Sequence, residues 1–384
     1  MKQLNAEKLN SVLLARLNDN IALGKVGGAK LIVRQDGKTL CKLEAGYQNV
    51  LTEEPIKNDA VFRMASMTKP VTAVAALVAE DMGLFKMDDL VSDYLPQFEN
   101  MCVAEIKGGK VAAGKKSEVP LRIWHMLSHA SGMMAATEIG LALEAQKPDE
   151  AYKTLATMVE HCASQPLAYE PESYSAYCAY SSFDTVARII ELQSGMEYKD
   201  FLKKYIFDPL GMKDTTYTPT EEQWSRVITM TDRMAARKLA AVDLGSHTFE
   251  GFPLTYTCAG AGLVSTLDDY SKFAEMLLNN GTLNGVRIFS PERITELCTP
   301  RIPAETPGRD PVSSWGLGVR VVDKEDVLPV GCYGWSGAYG THFWVDPENK
   351  ITAVYLRNSR WYDSRGGGNI AMEFEKDVVS CFED

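Results

Sequence analysis

The sequence predicts an α+β protein in which one sheet is assembled from both ends of the chain around an inserted, mostly helical region. Strand-like runs rich in β-branched and aromatic residues cluster near the two ends, at 30–47 and 315–356. Helical spacing broken by Gly and Pro occupies 84–194 between them. No internal repeat interrupts this order, and 384 residues with 45% hydrophobic content suffice for a large core.

Taken in order, Leu9, Val12, Leu13 and Leu17 fall at helical spacing and predict an amphipathic helix over 5–20. Strands at 30–34 and 40–47 flank Gln35-Asp36-Gly37-Lys38, whose Asp-Gly is a hairpin signal. The apolar run after Pro70, VTAVAALVA, predicts a buried helix, followed by helical segments near 84–94, 121–128, 138–164 and 181–194. Residues 107–116 are basic and glycine-rich and read as a solvated loop. From about 255 the strand pattern returns. Gly260–Thr266 leads into a helix over 267–279, and strands are expected at 315–322, 340–345 and 351–356. Asp346-Pro347-Glu348-Asn349-Lys350 reads as the turn between the last two, and a helix over 369–382 closes the chain.

Composition excludes several function classes. A formal charge of −11 disfavours nucleic acid or an anionic membrane as a partner. The N-terminal stretch lacks an apolar h-region and no apolar run reaches about 18 residues, so the expectation is a cytoplasmic protein. Eight scattered cysteines show neither CxxC nor metal-ligand spacing and are expected to be reduced and mostly buried. His125 and His129 are four apart but lack the intervening Glu of a zinc-binding helix, so no metal is expected.

The chemistry concentrates at Ser66-Met67-Thr68-Lys69. By itself S-x-x-K is weak, since a capping Ser and an exposed Lys give the same pattern. On the first turn of a helix, however, the Ser66 hydroxyl and Lys69 amine share one face. A serine hydroxyl needs a base to become a nucleophile, and a lysine serves when burial or a neighbouring cation lowers its pKa. The buried helix after Pro70 supplies that burial and places its positive dipole end at Ser66.

Beside this motif stand LRIWHMLSHASGM (121–133), IIELQSG (189–195), FLKKYIFDPLGM (201–212), AGAGLVSTLDDYSKFAEMLLNNG (259–281) and YGTHFWVDPENKITAVYL (339–356). In this order, over nearly the whole chain, the sequence resembles the serine-hydrolase superfamily of class C β-lactamases, penicillin-binding proteins and related esterases. The resemblance implies a β-lactamase/transpeptidase-like fold: an antiparallel sheet flanked by helices, with a mostly helical insertion. The sheet domain is expected over 1–70 and 215–384 and the helical domain over 71–214, with the active site at their interface.

The resemblance also assigns roles. Ser66 is the implied nucleophile and Lys69 its base, aided by a tyrosine. The family's Tyr-x-Asn lies six residues after the proline of a Pro-Gly turn, which selects Tyr177 after Pro171. Here Glu172 replaces the Gly and Ala179 the Asn, and Tyr174 and Tyr180 lie close enough to compete. The family's Lys-Thr-Gly corresponds to Trp335-Ser336-Gly337, expected to contact substrate, with the N–H groups of Ser66 and Ala338 as the implied oxyanion hole. Gly337 would let the substrate approach the backbone.

Trp335 and Ala179 replace residues with which β-lactamases bind the drug's carboxylate and side-chain amide. The resemblance therefore points to the esterase branch: hydrolysis of short-chain carboxylic esters through an acyl-enzyme on Ser66, with a small-molecule ester as partner and no cofactor. Two other readings are a β-lactamase or D-amino-acid peptidase on this fold, and a non-catalytic sensor or binding protein. An α/β-hydrolase is disfavoured, because Gly334-Trp335-Ser336-Gly337-Ala338 lacks the last glycine of Gly-x-Ser-x-Gly and precedes a strand.

Overall fold

The computed structural model describes residues 1–234, 238–360 and 369–383. Its centre is an eight-stranded antiparallel sheet. Three strands come from the beginning of the chain: β1 (Gly28–Gln35), β2 (Lys38–Asn49) and β3 (Glu54–Pro55). Five come from near its end: β4 (Ser313–Trp315), β5 (Arg320–Val322), β6 (Tyr333–Ser336), β7 (His342–Asp346) and β8 (Ile351–Arg357). The order is β4-β5-β6-β7-β8-β1-β2-β3, and pairing of Ala29 with Arg357 through Gln35 with Ile351 joins the two ends.

Both faces of the sheet are covered, so its central strands are buried along almost their whole length rather than at alternate residues. On one face Leu31, Val33, Trp344, Ala353 and Tyr355 pack beneath α1 (Ala6–Ala22) and a helix at the end of the chain, Ile370–Val379. On the other, Ile32, Phe343, Val345, Val354 and Leu356 join the larger core. That core holds α2 (Thr68–Asp81), buried on every side from Thr68 to Ala79, together with α3 (Ser181–Ser194) and α4 (Leu267–Leu278). Side chains cap α1, α4 and the closing helix: Asn5 accepts from the Lys8 N–H, Thr266 from Asp269 and Asn369 from Ala371. Gly195 ends α3 in the left-handed region, at φ 68°.

Several expectations are corrected. The stretch read as a solvated loop over 107–116 is a hairpin, Cys102–Lys107 with Lys110–Lys116. Gly108 and Gly109, at φ 59° and 76°, supply the two positive angles that such a turn requires. Over 84–94 only Val91–Tyr94 is helical; Asp89 instead accepts from the Lys86 N–H and the Tyr94 hydroxyl, which favours a turn. The helix expected over 138–164 is Glu138–Glu144, a 3-10 turn at Asp149–Lys153 and Leu155–Ser164, broken at Pro148 and restarted by the Thr154 cap. The strand expected over 315–322 is two strands, β4 and β5, folded back at Gly316–Gly318. Part of the closing segment, 361–368, lies outside the described residues.

Phe343 is fully buried, with its ring 5.2 Å from Tyr270 and 6.4 Å from Phe273 of α4. Phe343→Ala is expected to cost roughly 3–5 kcal/mol through lost burial and the cavity left behind. A urea midpoint unchanged from the parent protein would show that this sheet-to-helix contact is not part of the stabilising core.

Candidate functional site

The chain reaches Ser66 through a backbone conformation that it does not adopt on local preference. Ala65 is fully buried at φ 47°, a region costing L-residues roughly 1–2 kcal/mol. Bonds from neighbouring segments hold it there: the Met64 N–H donates to the Leu263 carbonyl at 2.9 Å, and the Tyr270 hydroxyl donates to the Met67 carbonyl at 2.8 Å. The Thr68 hydroxyl closes the turn by donating to the Ala65 carbonyl at 2.7 Å. Ser66 thus stands in a 3-10 turn, Ala65–Met67, that runs directly into α2.

Lys69, one turn on, is fully buried and places Nζ 3.2 Å from Ser66 Oγ. Its ammonium also donates to the carbonyls of Ala179 and, at 2.9 Å, Gly260. Three acceptors therefore meet its three N–H bonds. The Tyr177 hydroxyl donates to the same Ser66 Oγ at 2.7 Å, and Nζ lies 4.8 Å from the Tyr177 ring centre.

Tyr177 is aligned from both sides. Its carbonyl accepts from the Ala136 N–H at 2.8 Å, and the next N–H, of Cys178, donates to His129 Nδ1 at 2.9 Å. With Nδ1 accepting, the ring proton is on Nε2. Burial, helped by Lys69, holds His129 well below its ordinary pKa, so it is neutral. Glu172, where the family pattern has Gly, takes the left-handed conformation itself at φ 66°, while its carboxylate meets His125 Nε2 at 2.8 Å. The other two tyrosines point elsewhere: Tyr180 packs on Phe249 and Phe252, and Tyr174 lies exposed against Tyr169.

The third segment is β6 and the turn after it. Trp335 packs edge-on against Trp315 at 4.4 Å and lies 5.5 Å from the Tyr177 ring; Trp315 in turn sits 4.2 Å from His129. These four rings form an aromatic wall beside Ser66. Ser336 is not part of it. Strand alternation sends its hydroxyl to the other face, where it lies 2.8 Å from His342 Nδ1, whose Nε2 is 3.2 Å from Glu375.

Gly337 has a different reason from the one its sequence context suggests. A Cβ there would lie 2.2 Å from Thr341 Oγ1 and 2.3 Å from the Met64 carbonyl, so glycine lets the turn touch the chain just before Ser66. The Thr341 hydroxyl donates to that Met64 carbonyl at 2.8 Å, and the Gly337 N–H to the Thr341 carbonyl at 2.7 Å. Ser66 and Ala338 thus belong to two segments bonded directly to each other.

Sequence reasoning missed Trp315, the Ala179 carbonyl and Gly260. A Cβ on Gly260 would lie 2.6 Å from the Ala179 carbonyl, so glycine lets both Lys69 acceptors converge. The small-residue run Ala259-Gly260-Ala261-Gly262 was the available signal. Among the described residues, no group of three or more His, Cys, Asp or Glu is arranged to hold a metal ion.

Because a Cβ at 337 would also lie 2.3 Å from the Met64 backbone oxygen, no rotamer change relieves the contact. Gly337→Ala is expected to destabilise by roughly 1–3 kcal/mol, as overpacking does, read as a lower melting temperature. An unchanged melting temperature would mean that the turn and Met64 separate freely.

Comparison with known proteins places this geometry in context. Residues 17–371 match the family model described as Beta-lactamase. An uncharacterized protein of Mycobacterium tuberculosis (strain CDC 1551 / Oshkosh) is 28% identical over 87% of this chain and 86% of its own length. Esterase EstB of Burkholderia gladioli is 25% identical over 96% of this chain and 95% of its own. Among solved structures, that of "EstCE1, a hydrolase with promiscuous acyltransferase activity" superposes with a TM-score of 0.80 at 22% identity, covering 97% of this chain and 99% of that one. A match over this much of the chain, on an eight-stranded antiparallel sheet with flanking helices, shows that the protein belongs to the β-lactamase family and is a serine hydrolase.

Proposed function

We propose that the protein is a serine carboxylesterase that hydrolyses short-chain carboxylic esters through an acyl-enzyme on Ser66. The observation that carries this reading is the convergence of the Lys69 amine and the Tyr177 hydroxyl on Ser66 Oγ, at 3.2 and 2.7 Å. With Lys69 neutral, the first of these bonds reverses: the Ser66 hydroxyl donates to Nζ, and its proton passes to the Lys69/Tyr177 pair as Oγ attacks the ester carbonyl. The N–H groups of Ser66 and Ala338 take the developing oxyanion. The proton returns to the departing alcohol, and water, activated by the same pair, releases the acid.

The ester preference rests on what stands around Ser66. Trp335 occupies the place of the family's lysine, so a β-lactam carboxylate meets an indole rather than a cation. Ala179, in place of the family's Asn, offers only its backbone carbonyl, and that is engaged by Lys69. An aromatic wall of Tyr177, Trp315 and Trp335 suits a neutral acyl or alcohol group. The 25% identity with an esterase along nearly the full length of both chains supports the same choice.

p-Nitrophenyl butyrate turnover and fluorophosphonate labelling test the proposal. Wild type is expected to turn over the ester and label at Ser66, and Ser66→Ala to do neither; equal labelling and turnover in both would sink the reading. Lys69→Arg keeps the charge but cannot act as base, so acylation is expected to collapse while the fold persists. Nitrocefin turned over faster than p-nitrophenyl butyrate would favour a β-lactamase.

Tyr177→Phe is expected to cost on the order of 10² or more in rate. If Tyr180→Phe carries that loss instead, the base partner is Tyr180.

A further inference from the structure

Asp184, in the first turn of α3, is fully buried and takes no part in the steps above. Its carboxylate accepts from the Tyr256 hydroxyl and, at 2.8 Å, from the Ala259 N–H. The short turn held this way supplies two further bonds to α2. The Ala259 carbonyl accepts from the Thr72 hydroxyl at 2.7 Å, and the next carbonyl, of Gly260, accepts from Lys69 at 2.9 Å. Asp184 is thus anchored one residue from an acceptor of the Lys69 ammonium.

Among the described residues, the charged groups that act on Asp184 are Lys69 from α2 and Lys147 from the turn before Pro148. Burial pushes its carboxyl up to about 7, against the pull of the Tyr256 and Ala259 bonds and of both lysines. The phenols of Tyr198, Tyr217 and Tyr256 and the thiols of Cys162 and Cys258 share this interior; burial raises all of them, so they are neutral near pH 7. His129, facing Lys69 from the other side, is neutral as well.

We propose that Asp184 is a positioning residue for acyl transfer: it fixes the Tyr256–Gly260 turn against Lys69, and its buried charge governs how readily Lys69 releases its proton. This rests on the reading of Lys69 as the base of Ser66. A carboxylate facing an amine favours the ammonium form, so removing the charge makes the free amine available at lower pH. A merely structural residue would lower the rate at every pH and leave the profile's position alone.

The test is the rate at which a fluorophosphonate labels Ser66 in the intact chain, followed across roughly pH 5 to 10 to cover both limbs of the profile. In Asp184→Asn the acid limb is expected to move down by about half a pH unit or more. Tyr256→Phe removes one bond to the carboxylate, leaves Lys69 and its acceptors in place, and is expected to shift the limb the same way by less. Should Asp184→Asn fail to fold, Tyr256→Phe decides alone. Limbs that coincide with wild type while wild type labels normally overturn the role of Asp184 and leave the esterase reading intact. No labelling of Ser66 in wild type at any pH overturns both.

Discussion

A buried ammonium is costly unless every N–H finds an acceptor. Lys69 meets that demand with one side-chain oxygen, Ser66 Oγ, and two main-chain carbonyls, those of Ala179 and Gly260. Each acceptor comes from a different stretch of chain, so the amine ties together the start of α2, the loop leading into α3 and the segment before α4. Among the described residues, no carboxylate is hydrogen-bonded to it. Two carbonyl dipoles and one hydroxyl oxygen satisfy its three N–H bonds instead.

The same economy appears at the turn between β6 and β7. The Gly337–Thr341 turn is bonded to Met64, and Met64 to Leu263, so the segments on the two sides of Ser66 are aligned by short contacts rather than by a shared element. Left-handed residues mark where the chain is bent to fit: Ala65 before Ser66, His129 beside Tyr177 and Glu172 at the turn that delivers it. None is glycine, so the surrounding bonds, not intrinsic preference, hold these angles. Around this frame the rings of Trp315, Trp335 and Tyr177 provide apolar surface, on which the proposed ester preference rests.

Much of the fold was legible because it follows from local pattern. The Asp36-Gly37 hairpin, the apolar helix after Pro70, the helix over 181–194 and the strands near 340–356 all show period, turn residues or caps within a few positions. The misreadings came where two local signals compete. Gly108-Gly109 served equally for a loop and for a tight hairpin, and the difference lies in pairing across the turn. At 84–94 apolar spacing suggested a helix, but Asp89 captured the Lys86 N–H and the Tyr94 hydroxyl for a turn. At 315–322 one strand became two, folding back at Gly316–Gly318, where a Cβ on Gly318 would lie 2.8 Å from the Lys69 carbonyl, a contact between residues far apart in sequence.

The candidate site divides along the same line. Ser66 and Lys69 are three residues apart on one helical turn, so their meeting is a matter of helix geometry and can be read from the motif alone. Spacing also pointed to Tyr177 over its neighbours, but the aim of its hydroxyl depends on Ala136 and His129, which approach from another part of the chain. Whether Ser336 faces the site, why residue 337 is glycine, which carbonyls receive the Lys69 amine and where Trp315 stands are all contacts across long stretches of sequence. Local periodicity carries no information on such contacts. They are set when the two chain ends pair in one sheet and bring its β6–β7 turn against the residues just before α2, and that pairing, more than any single motif, gives Ser66 its surroundings.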